Sequence, residues 1–202
     1  DDAGWTECKI SVSNSLDERL IQNLFLQGAQ IDMFGVGERM ITAKSEPVFG
    51  GVYKLTAVEN EQGEIIPKIK CSENVEKITI PHFKKVYRLY NKDNGKAIAD
   101  YMTVYDEVVD ENEPMMLFDP YATWKTKNVC NYQARELLVP VFLKGKKVYE
   151  SPALKDIQTY CKQQVDTLWD EIKRFDNPQT YYVDLSQKLW DIQQELLRSS
   201  QR

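Results

Sequence analysis

One histidine, four cysteines and nine glycines are spread over 202 residues, and no apolar run reaches 18 residues. A single histidine makes a His-rich metal site or a complete Ser-His-Asp triad hard to build without that one residue. The cysteines, at positions 8, 71, 130 and 161, form no CxxC pair. Zinc sites usually draw ligands from close pairs, so the four read as reduced, partly buried thiols, and the expected setting is cytoplasmic. No basic-then-apolar segment opens the chain, so neither a signal peptide nor a membrane span is expected. Clustered positive charge is scarce too: 26 Lys+Arg stand against 31 Asp+Glu, for a formal net charge of −5. The longest basic cluster, Lys144-Gly145-Lys146-Lys147, reads as a turn. Phosphate neutralisation along a nucleic acid needs clustered Lys and Arg, so a nucleic-acid-coating role is disfavoured.

What is present describes an ordinary globular chain. Hydrophobic residues make up 42% and charged residues 28%, enough to bury a sizeable core in one large domain or two small ones. The chain opens Asp1-Asp2-Ala3-Gly4-Trp5, and Gly4 resembles the residue that follows a helix end, so an excised domain or fragment is expected.

Residues 9–13 alternate as a short strand would. Asn14-Ser15 offers an N-cap, Leu16, Leu20, Ile21 and Leu24 share one helical face, and Gly28 supplies the stop. A second strand over 30–34 runs into Gly35-Val36-Gly37. Strand, helix, strand within about 30 residues is a βαβ unit with parallel strands. From Phe49 the period changes to β-type runs over 50–58, 64–70, 75–80, 84–90 and 96–105, with turns at Gln62-Gly63 and Asn94-Gly95. Residues 106–114 read as an acidic, solvated connector, and a hairpin is expected around Lys144-Gly145. Ser151-Pro152 reads as the start of a helix reaching Phe175, its apolar seam read as core, and Asn177-Pro178 ends it. Asp184 and Gln187 suggest a capping box for a last helix. The resulting division is 1–48, 49–105, 106–150 and 151–202.

The sharpest chemical feature is the pair of strand ends, Ser13-Asn14-Ser15 and Gly35-Val36-Gly37-Glu38. Loops at the carboxyl ends of parallel strands line ligand sites, and backbone N–H groups there can meet an anion. Two glycines let the backbone approach a phosphate where a Cβ would obstruct it, and Asn14 and Ser15 add side-chain donors. Against this stands Glu38, whose carboxylate repels a phosphate unless it points away or pairs with Arg39. The alternative is that the glycines serve the turn only. His82 reads as structural or surface, Asp1-Asp2 and the 106–113 run as solvated charge, and Tyr53 and Lys54 are undecided between solvent and site.

Residues 10–18, 28–37 and 46–55, together with 134–142, 149–154 and 177–186, closely resemble nicotinate phosphoribosyltransferase, with the similarity extending over essentially the whole chain but only over the C-terminal part of that enzyme. The resemblance implies an α/β fold, a mixed α+β fragment in which the closing βαβ unit of an irregular TIM-like barrel precedes an antiparallel β-rich segment and C-terminal helices. It implies a reaction of nicotinate with phosphoribosyl pyrophosphate giving nicotinate mononucleotide and pyrophosphate. ATP hydrolysis would be coupled through a phosphorylated His, and Mg²⁺ would sit on the pyrophosphate, with the ligands of ATP and Mg²⁺ outside this chain. Catalytic residues are expected upstream, and His82 does not inherit the phosphohistidine role. The implied 5′-phosphate seat is Ser13 and Asn14 from one loop and Gly35 and Gly37 from the other. Many relatives have Thr where this chain has Glu38, so Glu38 would contribute its backbone N–H. A homodimer is expected, without nucleic acid or membrane; a nicotinamide phosphoribosyltransferase-like enzyme and a non-catalytic binding or structural module are the rival readings.

Overall fold

A computed structural model describes residues 2–200, and the chain divides into two compact units, Asp1–Tyr53 and Lys54–Arg202. The expectation for Asp1 lies outside the described residues.

In the first unit, β1 (Ser11–Ser13) and β2 (Met33–Gly35) pair in parallel, with Val12 opposite Phe34 and Ser13 opposite Gly35. Between them runs α1 (Glu18–Leu26), and after β2 comes the single turn α2 (Glu38–Ile41). The βαβ unit is therefore present, with shorter strands than the alternation suggested. The N-cap of α1 is Asp17, not the expected Asn14-Ser15: those two residues adopt left-handed φ of 87° and 50°, which bends the chain away from β1 before a helix can begin. Leu16 follows the bend and is buried. Gly28 stops α1 as expected, at φ +82°. The Ala29 N–H bonds the Leu24 carbonyl and the Gly28 N–H bonds that of Phe25, a Schellman arrangement in which a left-handed residue satisfies the last carbonyls. The helix is tied to β2 by an edge-to-face contact between Phe25 and Phe34, ring centroids 5.5 Å apart.

The second unit opens with an antiparallel hairpin of β3 (Ala57–Glu59) and β4 (Ile65–Pro67), closed by Gly63 at φ +80°. Residues 50–56 are not strand, and the run expected over 75–80 contains a 3-10 turn over Val75–Lys77 instead, capped by the Asn74 side chain. The centre is a four-stranded mixed sheet built from β5 (Lys84–Asn91) and β6 (Ala97–Val104). Next come β7 (Met115–Asp119) and β8 (Ala122–Val129), a hairpin, and β9 (Tyr132–Glu136), which pairs with β5. The short pair β10 (Phe142–Leu143) and β11 (Lys146–Lys147) turns through Lys144 and Gly145, both at positive φ, where the hairpin was expected. After α3 (Leu154–Thr167) comes β12 (Val183–Leu185), which adds to β6 in parallel, then α4 (Gln187–Ser199). The sheet order is β12-β6-β5-β9. Among the described residues the sheets are small and unclosed, so the observed class is mixed α and β without a barrel.

Two clusters form the core of this unit. Leu89, Ala99, Leu117, Val129 and Tyr132 pack between the sheet and the β7–β8 hairpin, and Val104, Leu185 and Leu189 join β6, β12 and α4. Polar groups extend this framework. Arg88 grips Asp100 on the neighbouring strand with Nε and Nη2 at 2.8 and 2.9 Å, and the Tyr181 hydroxyl donates to the same carboxylate at 2.9 Å. Burial and the Asp100 charge push the Tyr181 phenol well above its usual range. Lys84 donates to the carbonyls of Ile80, Pro81 and His82, and burial lowers its ammonium to about 8.

Four further expectations need correction. The connector over 106–114 is more than solvated charge: Glu107 accepts from the Val104 N–H and the Ser186 hydroxyl, and the Tyr132 hydroxyl donates to the Asp110 carbonyl. Helix α3 starts after Ala153, without a side-chain cap, and ends at Thr167 rather than near Phe175. Its apolar residues Leu154, Ile157 and Val165 are exposed rather than core. Asp184 does not cap α4, because it is paired within β12; Ser186 caps instead, accepting from the Leu189 N–H at 3.2 Å. All four cysteines are free and exposed, not partly buried.

Candidate functional site

The carboxyl ends of β1 and β2 lie side by side because the pairing is parallel, and the loops that leave them border one cleft of about 430 Å³. Its lining is Asn14, Ser15, Leu16, Gly35, Gly37, Glu38, Arg39 and Lys44. Of the residues picked out by sequence, Asn14, Gly35, Gly37 and Glu38 line this cleft. Ser13 ends β1 directly opposite Gly35 and is not part of the lining.

The two glycines do different work. A Cβ on Gly35 would sit 3.1 Å from the Ser13 Cβ, so glycine at 35 permits the close approach of the two strands. A Cβ on Gly37 would meet nothing within 4 Å, so packing within the chain does not require glycine at 37. The α2 turn that follows is only four residues long, which limits any dipole contribution to its first N–H groups.

Polar ties set the spacing of the loops. Asp17 uses both carboxylate oxygens: Oδ1 accepts the Leu20 N–H at 2.8 Å, capping α1, and Oδ2 lies 3.1 Å from Arg39 Nη1. Arg39 therefore pairs with Asp17; a Glu38–Arg39 pair was one of the two ways in which the sequence allowed Glu38 beside a phosphate. The Ser45 hydroxyl holds the neighbouring Glu18 carboxyl below its usual range, a second link from α1 to the segment after α2. Ala43 closes α2 at φ +45°, with the Lys44 N–H on the Arg39 carbonyl and the Ala43 N–H on that of Met40, and this reversal carries Lys44 to the cleft. Sequence reading passed over Lys44 because nothing local marks it; a left-handed alanine is not a signal that composition or period can show.

The second unit offers a contrasting cleft of about 370 Å³, bordered by Glu107, Asp110 and Glu113 together with Tyr101, Thr103 and Phe118. Three carboxylates on its rim oppose anions, and burial, helped by Glu107, pushes the Tyr101 phenol up to about 12. Among the described residues no three His, Cys, Asp or Glu side chains converge as a metal site, and no helix is long and apolar enough to cross a membrane. His82 belongs to the second unit and is not in the lining of the strand-end cleft; its Nδ1 is 3.2 Å from the Phe83 carbonyl.

A parallel strand pair with a polar cleft at its carboxyl ends, followed by a mixed sheet and helices, defines a mixed α and β protein with a candidate site at the strand ends. Residues 83–193, more than half of the chain, match the family model described as the nicotinate phosphoribosyltransferase C-terminal domain. The chain therefore belongs to the nicotinate phosphoribosyltransferase family. It is 44% identical over 190 residues to nicotinate phosphoribosyltransferase of Bacillus subtilis, covering 94% of this chain and 39% of the relative. To the enzyme of the same name from Dictyostelium discoideum it is 31% identical, covering 90% and 31%. The chain thus spans well under half the length of these curated relatives. In fold it is similar to the crystal structure of human nicotinic acid phosphoribosyltransferase, with a TM-score of 0.69 at 24% identity, over 95% of this chain and 33% of that one.

Proposed function

We propose that this chain is part of an enzyme that joins nicotinate to phosphoribosyl pyrophosphate in NAD salvage, and that its strand-end cleft seats the 5′-phosphate of the substrate. The observation that carries this reading is the convergence of Asn14, Gly35, Gly37, Arg39 and Lys44 on one cleft in a chain of this family. Asn14 and the Ser13 end of β1 would serve one side of the phosphate; the backbone at Gly35, Gly37 and the Glu38 N–H would serve the other. The phosphate is remote from the reacting C1′, so its seat contributes by fixing the ribose while pyrophosphate leaves, converting binding energy into alignment. Positive charge develops at C1′ in that step, and none of the described residues is proposed as catalytic.

The βαβ unit would close an irregular α/β barrel, and the assembly would be a homodimer. Mg²⁺ would assist the departing pyrophosphate and ATP would drive the reaction, but the described residues supply no ligand set for the metal and no step is assigned through either group.

Gly37→Val tests the seat: the first added carbon meets no atom of the chain within 4 Å, while φ −104° with ψ −104° strains a β-branched residue, so a thermal melt of the variant accompanies the binding measurement as its fold control. Phosphoribosyl pyrophosphate affinity is expected to fall at least tenfold while nicotinate affinity stays within about twofold. Equal losses in a variant that melts well below the wild type report misfolding; equal losses in a variant that melts like the wild type, or Gly35 and Gly37 amide resonances that stay unmoved when phosphoribosyl pyrophosphate is titrated into the full-length enzyme, would sink the reading.

A further inference from the structure

Two cations border the strand-end cleft, and their surroundings differ. The Arg39 guanidinium is engaged by Asp17 at 3.1 Å, and Asp17 is at the same time the N-cap of α1. Its charge is already met, and the pair spans from the start of α1, just after the Asn14-Ser15 loop, to the turn that follows Gly37. Lys44 lines the cleft and makes no ion pair among the described residues. Its position depends on the left-handed Ala43, a conformation that disfavours alanine by about 1 kcal/mol. The one carboxylate that lines the cleft, Glu38, is exposed and would repel an anion placed there. A phosphomonoester carries nearly two negative charges at neutral pH, so a seat for it next to a carboxylate needs a cation that is not already spent.

From this we infer that Lys44 is the charge that meets the phosphate, and that Arg39 is a positioning residue whose pairing with Asp17 holds the two loops at the spacing of the seat. The inference rests on the cleft being a phosphate seat. It adds which cation faces the ligand, and it makes the site selective for a phosphate dianion over a neutral group of the same size. The Arg39–Asp17 pair and the Glu18–Ser45 link brace the cleft without contributing net charge to the ligand.

The test is titration of the full-length enzyme that carries this chain with inorganic phosphate at several salt concentrations, followed through the Gly35 and Gly37 amides. Lys44→Gln is expected to weaken binding about tenfold and to flatten the salt dependence, and Lys44→Arg to restore most of both. Asp17→Asn keeps an oxygen for the Leu20 N–H but removes the charge that holds Arg39. It and Arg39→Gln are expected to weaken binding by similar factors of about two to three, leave the salt slope unchanged, and show no additive loss when combined. Wild-type binding with Lys44→Gln unaffected, or a larger loss and a flatter salt slope for Arg39→Gln than for Lys44→Gln, overturns the assignment while leaving the seat intact. Absence of binding by the wild-type enzyme overturns the seat itself, and the assignment with it.

Discussion

Residues 2–53 bury a single side chain, Leu16, whereas Lys54–Arg202 buries two clusters that include Leu89, Leu117, Tyr132, Leu185 and Leu189. The first unit keeps large apolar side chains in solvent, among them Leu26, Ile41 and Val52. Its geometry depends on local devices instead: an N-cap, two Schellman ends, an aromatic edge contact and the Asp17–Arg39 pair. The second unit is held by cross-strand pairing and by apolar burial, with the Arg88–Asp100–Tyr181 group joining β5 and β6 to the segment before β12. The difference lies in what sets the geometry: the candidate cleft is built on the unit with little core, so its shape is set by a few directional contacts rather than by packing.

That contrast can be broken most forcefully at Leu89. Leu89→Ala, at a fully buried position, is expected to cost about 3 kcal/mol in denaturant unfolding, while the same truncation at half-exposed Leu20 costs under about 1 kcal/mol. Similar losses at the two sites would mean that the first unit is packed as well as the second.

A smaller effect concerns Asp184, which is buried on β12 and raised by burial, and by Asp119, to about 6; Lys127 partly opposes this. The folded chain holds this proton more tightly than the unfolded chain does. The contribution to stability is therefore fully present below about pH 4 and is lost as pH rises through about 6. Asp184→Asn should leave stability unchanged near pH 4 and raise it by about 1–2 kcal/mol at pH 8. Thermal melts across that range decide it, and an equal effect at both ends would show that the carboxylate is not penalised by its setting.

The smallest pair of changes sharpens the view of the first unit. Both of its helices end on a left-handed residue, Gly28 at +82° and Ala43 at +45°. Gly28→Ala is expected to destabilise by about 1 kcal/mol and Ala43→Gly to stabilise by up to about 1 kcal/mol, since only glycine adopts this region without a Cβ penalty. Amide exchange in the last turns of α1 and α2 reads both; shifts of the same sign would mean that the cap conformation is not what limits either helix.

Some of this was legible from local chemistry. Gly28, Gly63 and Gly145 marked turns because a left-handed backbone selects glycine wherever it falls in a fold. The strand–helix–strand order and the Asn14, Gly35, Gly37 grouping followed from spacing. The β7–β8 hairpin did not, since its outer strand exposes Trp124 and Lys125 and shows no clean two-residue alternation. The seam through Leu168, Ile172 and Phe175 continued a helical period past Thr167, where the chain breaks so that Trp169 can donate to the Ala97 carbonyl.

The sequence by itself determined the parallel strand pair, the glycine turns and the family, because those depend on residues near one another or on a pattern spread along the whole chain. Tertiary structure alone decided three things: that Asp184 pairs in a strand while Ser186 caps, that Arg39 answers Asp17 and not Glu38, and that Lys44 reaches the cleft. Each depends on partners set by strand pairing or by a single left-handed residue. A carboxylate or ammonium interacts with whatever charge the fold brings within a few ångströms, however far apart the two stand in the chain.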